Sequence, residues 1–162
     1  MKHFNQVSIP NSSFLIPHYM KIGLASDHAA FPLKQFVKSY LEEKGVEYKD
    51  YGTYTEDSCN YATYGHALAE GIEAGEVERG IAMCGSGEGI SMTLNKHQSI
   101  RAGLVWRPEI AHLIREHNNA NVIVFPGRFI EEDVCRQCLD EFFNTEFAGG
   151  RHQQRIEDIP CK

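Results

Sequence analysis

The chain lacks any run approaching the ~20 consecutive apolar residues that a membrane helix requires, so it is not expected to span a membrane. It lacks a basic excess as well. Sixteen Lys and Arg stand against 22 Asp and Glu, a net charge of -6, which argues against a nucleic-acid binder that covers phosphates with a cationic face. A small anionic ligand is still compatible with that balance, because about three or four cations gathered in one pocket suffice. The cysteines do not make an even set: there are five, Cys59, Cys84, Cys135, Cys138 and Cys161. No cationic start leads into an apolar stretch with a small-residue cleavage site, so the expectation is a reduced, cytoplasmic protein. Internal repeats and low-complexity tracts are also missing.

What remains is an ordinary soluble composition, 42% hydrophobic and 23% charged over 162 residues, long enough for one domain that buries roughly two-thirds of its unfolded surface. Residues 1–19 mix polar side chains with Pro10 and Pro17 and hold no period. They read as an N-terminal extension to a single domain spanning 20–162. From Met20 onward short β-rich runs alternate with helical patterns. Strands are expected at 21–25, 46–50, 80–84, 102–106 and 121–125, and helices near 30–44, 62–75, 88–97, 108–118, 131–144 and 150–158. In the first helix Phe36, Val37, Tyr40 and Leu41 recur at helical spacing and Gly45 ends it. Such alternation implies an α/β fold, a parallel sheet covered by helices on both faces. Ligands of such sheets lie beyond the carboxyl ends of the strands. That ranks two loops first, Ser26-Asp27-His28 and Cys84-Gly85-Ser86-Gly87-Glu88-Gly89, and a strand order of 2-1-3-4-5 would set them side by side.

The second loop follows a strand and opens a helix. Its three alternate glycines let bare backbone approach a ligand, and the helix start offers N–H groups to an anion. A dinucleotide fingerprint fails here because Ile90 stands where G-x-G-x-x-G needs glycine, and a P-loop fails for want of Gly-Lys-Ser/Thr. Cys84 has a plain reading as a buried strand-end thiol. The glycine loop beside it favours a reactive one, since the amino end of a helix promotes the thiolate. Glu88 is the rival base, although a carboxylate at a helix start often serves the helix dipole alone.

Asp27 is either an N-cap or a ligand contact. His117, with Asn118 and Asn119, closes the helix ahead of the strand at 121–125, which puts it at the lower edge of the sheet, across the domain from Cys84. Within one subunit His117 should not reach Cys84. If both serve one site, that site is shared between subunits, which implies a homodimer; the alternative is that His117 only caps helix carbonyls. Arg151 and Arg155 stand one turn apart on the last helix, a spacing at which two guanidinium groups grip one phosphate, though exposed helix arginines are common. Arg128 follows the last strand. Cys135 and Cys138 form a CxxC without a second pair, mid-helix among Val134, Leu139, Phe142 and Phe143. They read as two half-buried helix cysteines, not a metal site.

Taken in register, these segments resemble the ribose-5-phosphate isomerase B and galactose-6-phosphate isomerase family over about residues 20–158. The resemblance is carried by Ser26-Asp27-His28 with Lys34, Gly52-Thr53, Tyr61, the run from Cys84 to Ser91, and Asn95-Lys96. Ile100-Arg101-Ala102, the run from Arg115 to Ala120, and the run from Phe147 to Arg155 complete it. It implies a three-layer αβα sandwich with a Rossmann-like five-stranded parallel sheet. It further implies activity without metal or organic cofactor, in a homodimer or dimer of dimers whose active sites are shared between subunits. Cys84 matches the base of the cysteine branch; the other branch uses a glutamate where this chain has Ile90. Ser86 and the loop of Gly85, Gly87 and Gly89 match the enediolate site. His117 matches the ring-opening histidine, and Asp27 and Asn118 match binders of sugar hydroxyls. His28, Arg128, Arg151 and Arg155 match the phosphate positions. Tyr61 flanks the sugar, and here Asn60-Tyr61-Ala62 replaces the common Asp-Tyr-Pro. The implied substrates are D-ribose 5-phosphate and D-ribulose 5-phosphate. Alternatives are a six-carbon sugar phosphate such as allose or galactose 6-phosphate, or a non-catalytic sugar-phosphate binder.

Overall fold

The computed structural model describes residues 20–161; the N-terminal extension expected at 1–19 lies outside the described residues. Strands β1 (Ile22–Ser26), β2 (Tyr48–Asp50), β3 (Arg79–Cys84), β4 (Ala102–Leu104) and β5 (Val122–Pro126) form one parallel sheet. Parallel neighbours need crossovers. These are supplied by α1 (Phe31–Glu43), α2 (Tyr61–Glu73), α3 (Glu88–Leu94) and α4 (Pro108–Glu116), while α5 (Glu132–Asn144) and α6 (Arg151–Glu157) follow the last strand.

The strand order is β2-β1-β3-β5-β4, so the last two strands are exchanged relative to 2-1-3-4-5. The reason lies in their composition. β5 is buried along its whole length, as an interior strand must be, whereas β4 has three half-buried residues and suits an edge. β1 and β3 remain neighbours, with Ser26 paired to Met83, so the two loops singled out above do emerge side by side.

Element boundaries differ from expectation by a few residues. His28–Ala30 form a separate 3-10 turn before α1. α3 stops at Leu94, not 97, because Asn95 takes over: its amide donates to the Ser91 and Ala102 carbonyls (3.0 and 2.9 Å) and its oxygen accepts the Ala102 N–H (2.9 Å).

The sheet faces are unequal. Ile22, Leu24, Ile81, Met83, Ile123 and Phe125 pack under α1, α4 and α5, while Ala25, Ala82, Cys84, Val122 and Val124 face α2 and α3. Small residues on the second face let α2 lie close. A Cβ added at Gly23 would overlap the Leu68 side chain. Cys135 and Cys138 are fully buried, not half-buried, because both lie on the inward stripe of α5 with Leu139 and Phe142. Burial pushes the Cys138 thiol up to about 12. No group of three or more His, Cys, Asp or Glu among the described residues is arranged to hold a metal ion.

Lys34 on α1 is a charge with no exposed surface. Its ammonium donates to Asp50 Oδ1 at 2.6 Å and to the Thr53 carbonyl, beside the Tyr54 ring at 5.4 Å. Asp50 Oδ1 also accepts the Gly52 N–H at 2.9 Å. Desolvation lowers the Lys34 pKa, and the hydrogen bond to Asp50 opposes that shift. Replacing Lys34 by Met leaves Asp50 with the Gly52 N–H and, as its remaining cation among the described residues, Lys38 at 3.5 Å. Removing one partner of a buried pair strands the other. We expect Lys34→Met to cost ~3 kcal/mol in urea unfolding, with the slope unchanged.

Candidate active site

At the upper edge of the sheet, β3 ends on Cys84, which is buried and belongs to the α2/α3 face. The Cys84 carbonyl accepts the N–H groups of Gly87 (3.2 Å) and Gly127 (2.9 Å), and the Gly85 carbonyl accepts that of Arg128 (3.0 Å). The turn after β5 is thereby bonded to the loop after β3, which brings Arg128 next to Gly85. Gly87 has φ 78°, and a Cβ there would strike Leu104 and the Phe125 carbonyl, so only glycine fits. Gly89 leaves room for the ring of Tyr61, the first residue of α2. Ser86 Oγ accepts the Glu88 N–H at 3.4 Å. Glu88 heads α3 with its side chain exposed.

Asp27 joins the same edge through its N–H, 3.2 Å from the Met83 carbonyl. Its Oδ1 caps the 3-10 turn by accepting the Ala30 N–H at 3.1 Å, so the capping role is real. His28 begins that turn, and its Nδ1 accepts the Cys59 N–H at 3.2 Å. Asp27, His28, Tyr61, Cys84, Gly85, Ser86, Gly87, Gly89 and Arg128 therefore lie around one end of β1, β3 and β5.

His117, Asn118, Arg151 and Arg155 lie elsewhere. β3 and β5 pair Gly80 with Val122 at one end and Cys84 with Pro126 at the other, a span of roughly 13 Å at ~3.3 Å per residue. His117 caps α4, ahead of Val122, at the end opposite Cys84. There it stacks flat on His152, with ring centroids 4.3 Å apart and an interplanar angle of 7°. Its Nε2 lies 3.1 Å from Glu116 Oε2. The loop after it turns through Asn119 at φ 46°. Arg101 holds the Asn118 and Asn119 carbonyls (3.0 and 3.1 Å), and Arg115 donates to Asn119 Oδ1 (2.9 Å) and the Ala120 carbonyl (2.6 Å). Burial, then the charges of Arg79 and Arg101, lower the Arg115 pKa to about 10. A cavity of about 180 Å³ opens on this side, lined in part by Arg101, Ile114, Asn118 and Ile159.

Arg151 and Arg155 are exposed on α6, and His152 between them is buried. Among the described residues no carboxylate comes within ion-pair distance of Arg128, Arg151 or Arg155. Unspent guanidinium groups at both edges suit an anionic ligand. One chain thus carries two separate clusters at opposite sheet edges, one with the thiol and the other with the stacked imidazole.

Sequence reading missed Cys59, Glu116 and His152 as neighbours of site residues. His152 was readable only as part of a motif; its burial between two exposed arginines comes from the His117 ring. Cys59 sits in a loop without period, 31 residues from His28, and no local pattern signals that contact.

Burial, followed by the charges of His117, Arg151 and Arg155, lowers the His152 pKa. The fold thus favours neutral His152. Its contribution to stability is whole above the ordinary imidazole value of about 6.5 and is lost as pH falls through the lower folded value. Urea midpoints at pH 7.5 and 5.5 should differ less for His152→Asn than for the native chain.

A five-stranded parallel sheet between helical layers, with a glycine loop and a buried thiol at a strand end, defines an α/β protein of the Rossmann-like class. The model of the family described as Ribose/Galactose Isomerase matches residues 22–159, and the chain belongs to that family. It is 39% identical over 139 residues to ribose-5-phosphate isomerase B of Escherichia coli K12, covering 86% of this chain and 93% of that protein. A crystal structure of a ribose 5-phosphate isomerase from Thermotoga maritima superposes with a TM-score of 0.87 at 46% identity, covering 88% of this chain and 99% of the other. That of ribose-5-phosphate isomerase B from Mycoplasma genitalium, with bound ribulose-5-phosphate, gives 0.82 at 33%, covering 87% and 94%.

Proposed function

We propose that this protein interconverts D-ribose 5-phosphate and D-ribulose 5-phosphate. The observation that carries the reading is Cys84 buried at the β3 terminus beneath a glycine loop, in a chain 39% identical to a ribose-5-phosphate isomerase B. His117 serves ring opening. The Cys84 thiolate then takes the C2 proton, and the C2–H electron pair forms the C1–C2 double bond as the C1=O pair moves onto O1 to give a cis-enediolate. The O2 hydroxyl proton passes to O1, and the double-bond pair takes the proton back from Cys84 at C1 as C2=O forms. Ser86 and the N–H groups of the loop through Gly85, Gly87 and Gly89 hold the oxygen charge that develops, usually the largest catalytic term. Asp27 and Asn118 bind hydroxyls, Tyr61 flanks the sugar, and His28, Arg128, Arg151 and Arg155 bind the phosphate. No metal or organic cofactor takes part.

Because Cys84 and His117 lie at opposite sheet edges, the site is completed by a second copy of the chain, in a homodimer or a dimer of dimers. The five cysteines are all unpaired, which suits a reducing, cytoplasmic setting. No helix among the described residues is long and apolar enough to cross a membrane.

Cys84→Ala should lower kcat by about 10²–10⁴-fold, the usual worth of a general base, with substrate affinity retained; unchanged turnover rejects the assignment. Mixing inactive Cys84→Ala and His117→Ala subunits tests the sharing. A mixed dimer regains one native site, so re-equilibrated mixtures should recover about a quarter of native activity. Asn60-Tyr61-Ala62 beside the sugar position, in a family that includes galactose isomerases, keeps a six-carbon phosphate as the second reading. Parallel assays on ribose, allose and galactose phosphates decide it, and absence of turnover on all three points to a pure binder.

A further inference from the structure

The loop of residues 53–60, between β2 and α2, is tied down at both ends. At its start Lys34 donates to the Thr53 carbonyl, and the Thr53 N–H donates to the Ser26 carbonyl at 2.8 Å. At its end Asn60 Oδ1 accepts the Ala62 N–H at 2.9 Å to start α2. One residue earlier the Cys59 N–H points at His28 Nδ1, 3.2 Å away, with the Cys59 sulfur 3.8 Å from the same nitrogen. Residues 54–58 between the anchors are exposed.

A main-chain N–H only donates. A neutral imidazole has one donor nitrogen and one acceptor, and the bond made by one nitrogen decides the state of the other. With Nδ1 accepting from Cys59, the ring proton resides on Nε2. We infer that the Cys59 main-chain N–H is a positioning group that fixes His28 as the Nε2–H tautomer, so that His28 meets the sugar phosphate as a neutral hydrogen-bond donor.

A phosphate dianion offers acceptors only. The opposite tautomer would turn a lone pair toward it and would leave the Cys59 N–H without its acceptor. Arg128, bonded through its backbone to Gly85, supplies positive charge at the same edge, so His28 has no need to be protonated. The loop that leads into Tyr61 and the residue that reads the phosphate are thereby joined by one hydrogen bond. This inference rests on the reading of His28 as a phosphate-binding residue.

The direct test is the ¹⁵N spectrum of the imidazoles in the native protein above pH 7.5, with His28 assigned by its loss in His28→Asn. The expected signature is a protonated Nε2 and a bare Nδ1; a proton on Nδ1 overturns the inference without the use of any variant at residue 59. Cys59→Ala keeps the N–H and should leave both the spectrum and KM for ribose 5-phosphate unchanged. Cys59→Pro removes the N–H and should mix the tautomers, raising KM about tenfold, the worth of one hydrogen bond, with kcat within about threefold. Mixed tautomers with an unchanged KM overturn the link to substrate. If His28→Asn also leaves KM unchanged, the phosphate reading of His28 is what failed; if His28→Asn raises KM, the role given to Cys59 failed alone.

Discussion

A lysine ammonium shut away from water stands behind the thiol-bearing edge of this protein. Lys34 joins α1 to Asp50 at the end of β2 and to the Thr53 carbonyl. The loop that starts there delivers Cys59 to His28 and Tyr61 to Gly89. Taking such a charge out of water costs several kcal/mol, offset only if every donor finds a good partner. The arrangement is therefore all or nothing, and the loop's first residues have one place to go. These anchors matter because residues 54–58 of the loop are exposed.

The second organising fact is that the sheet separates the groups to which the proposed chemistry assigns roles. Strand ends collect Cys84, the glycine loop, His28 and Arg128; helix ends collect His117, Asn118 and the α6 arginines. Parallel topology enforces this split, since each helix returns the chain to the opposite edge. The lower edge is organised by guanidinium groups bound to carbonyls, Arg101 and Arg115 on the loop from Asn118 to Ala120, and among the described residues neither of these two guanidinium groups has a carboxylate within ion-pair distance. The upper edge is organised by backbone bonds that glycines make with Cys84 and Arg128.

Much of this was legible in the residues, for identifiable reasons. Strand and helix periods located all five strands because β1, β3 and β5 are buried apolar runs, and the placement of His117 opposite Cys84 followed from helix direction alone. The order of β4 and β5 was harder to read. Its clue, an unbroken Val-Ile-Val-Phe run against a short half-buried Ala-Gly-Leu, needed the comparison of two strands. The 3-10 turn at His28–Ala30 escaped because Asp27 caps either kind of helix start equally well. Full burial of Cys135 and Cys138 depends on how α5 is rotated over Tyr40 and Leu41, which a CxxC spacing does not convey. Contacts such as Cys59 with His28 and His152 with His117 join segments far apart in sequence and become visible only in three dimensions.

On the proposed sharing, two partial sites at opposite sheet edges make chain concentration itself a control on output. A solitary subunit holds every group required yet cannot fold one edge onto the other, so dilution below the dissociation constant of the assembly silences it without any effector. The same arrangement makes a defective subunit harmful beyond its own loss, because each one incorporated spoils a site that its intact neighbour would otherwise complete.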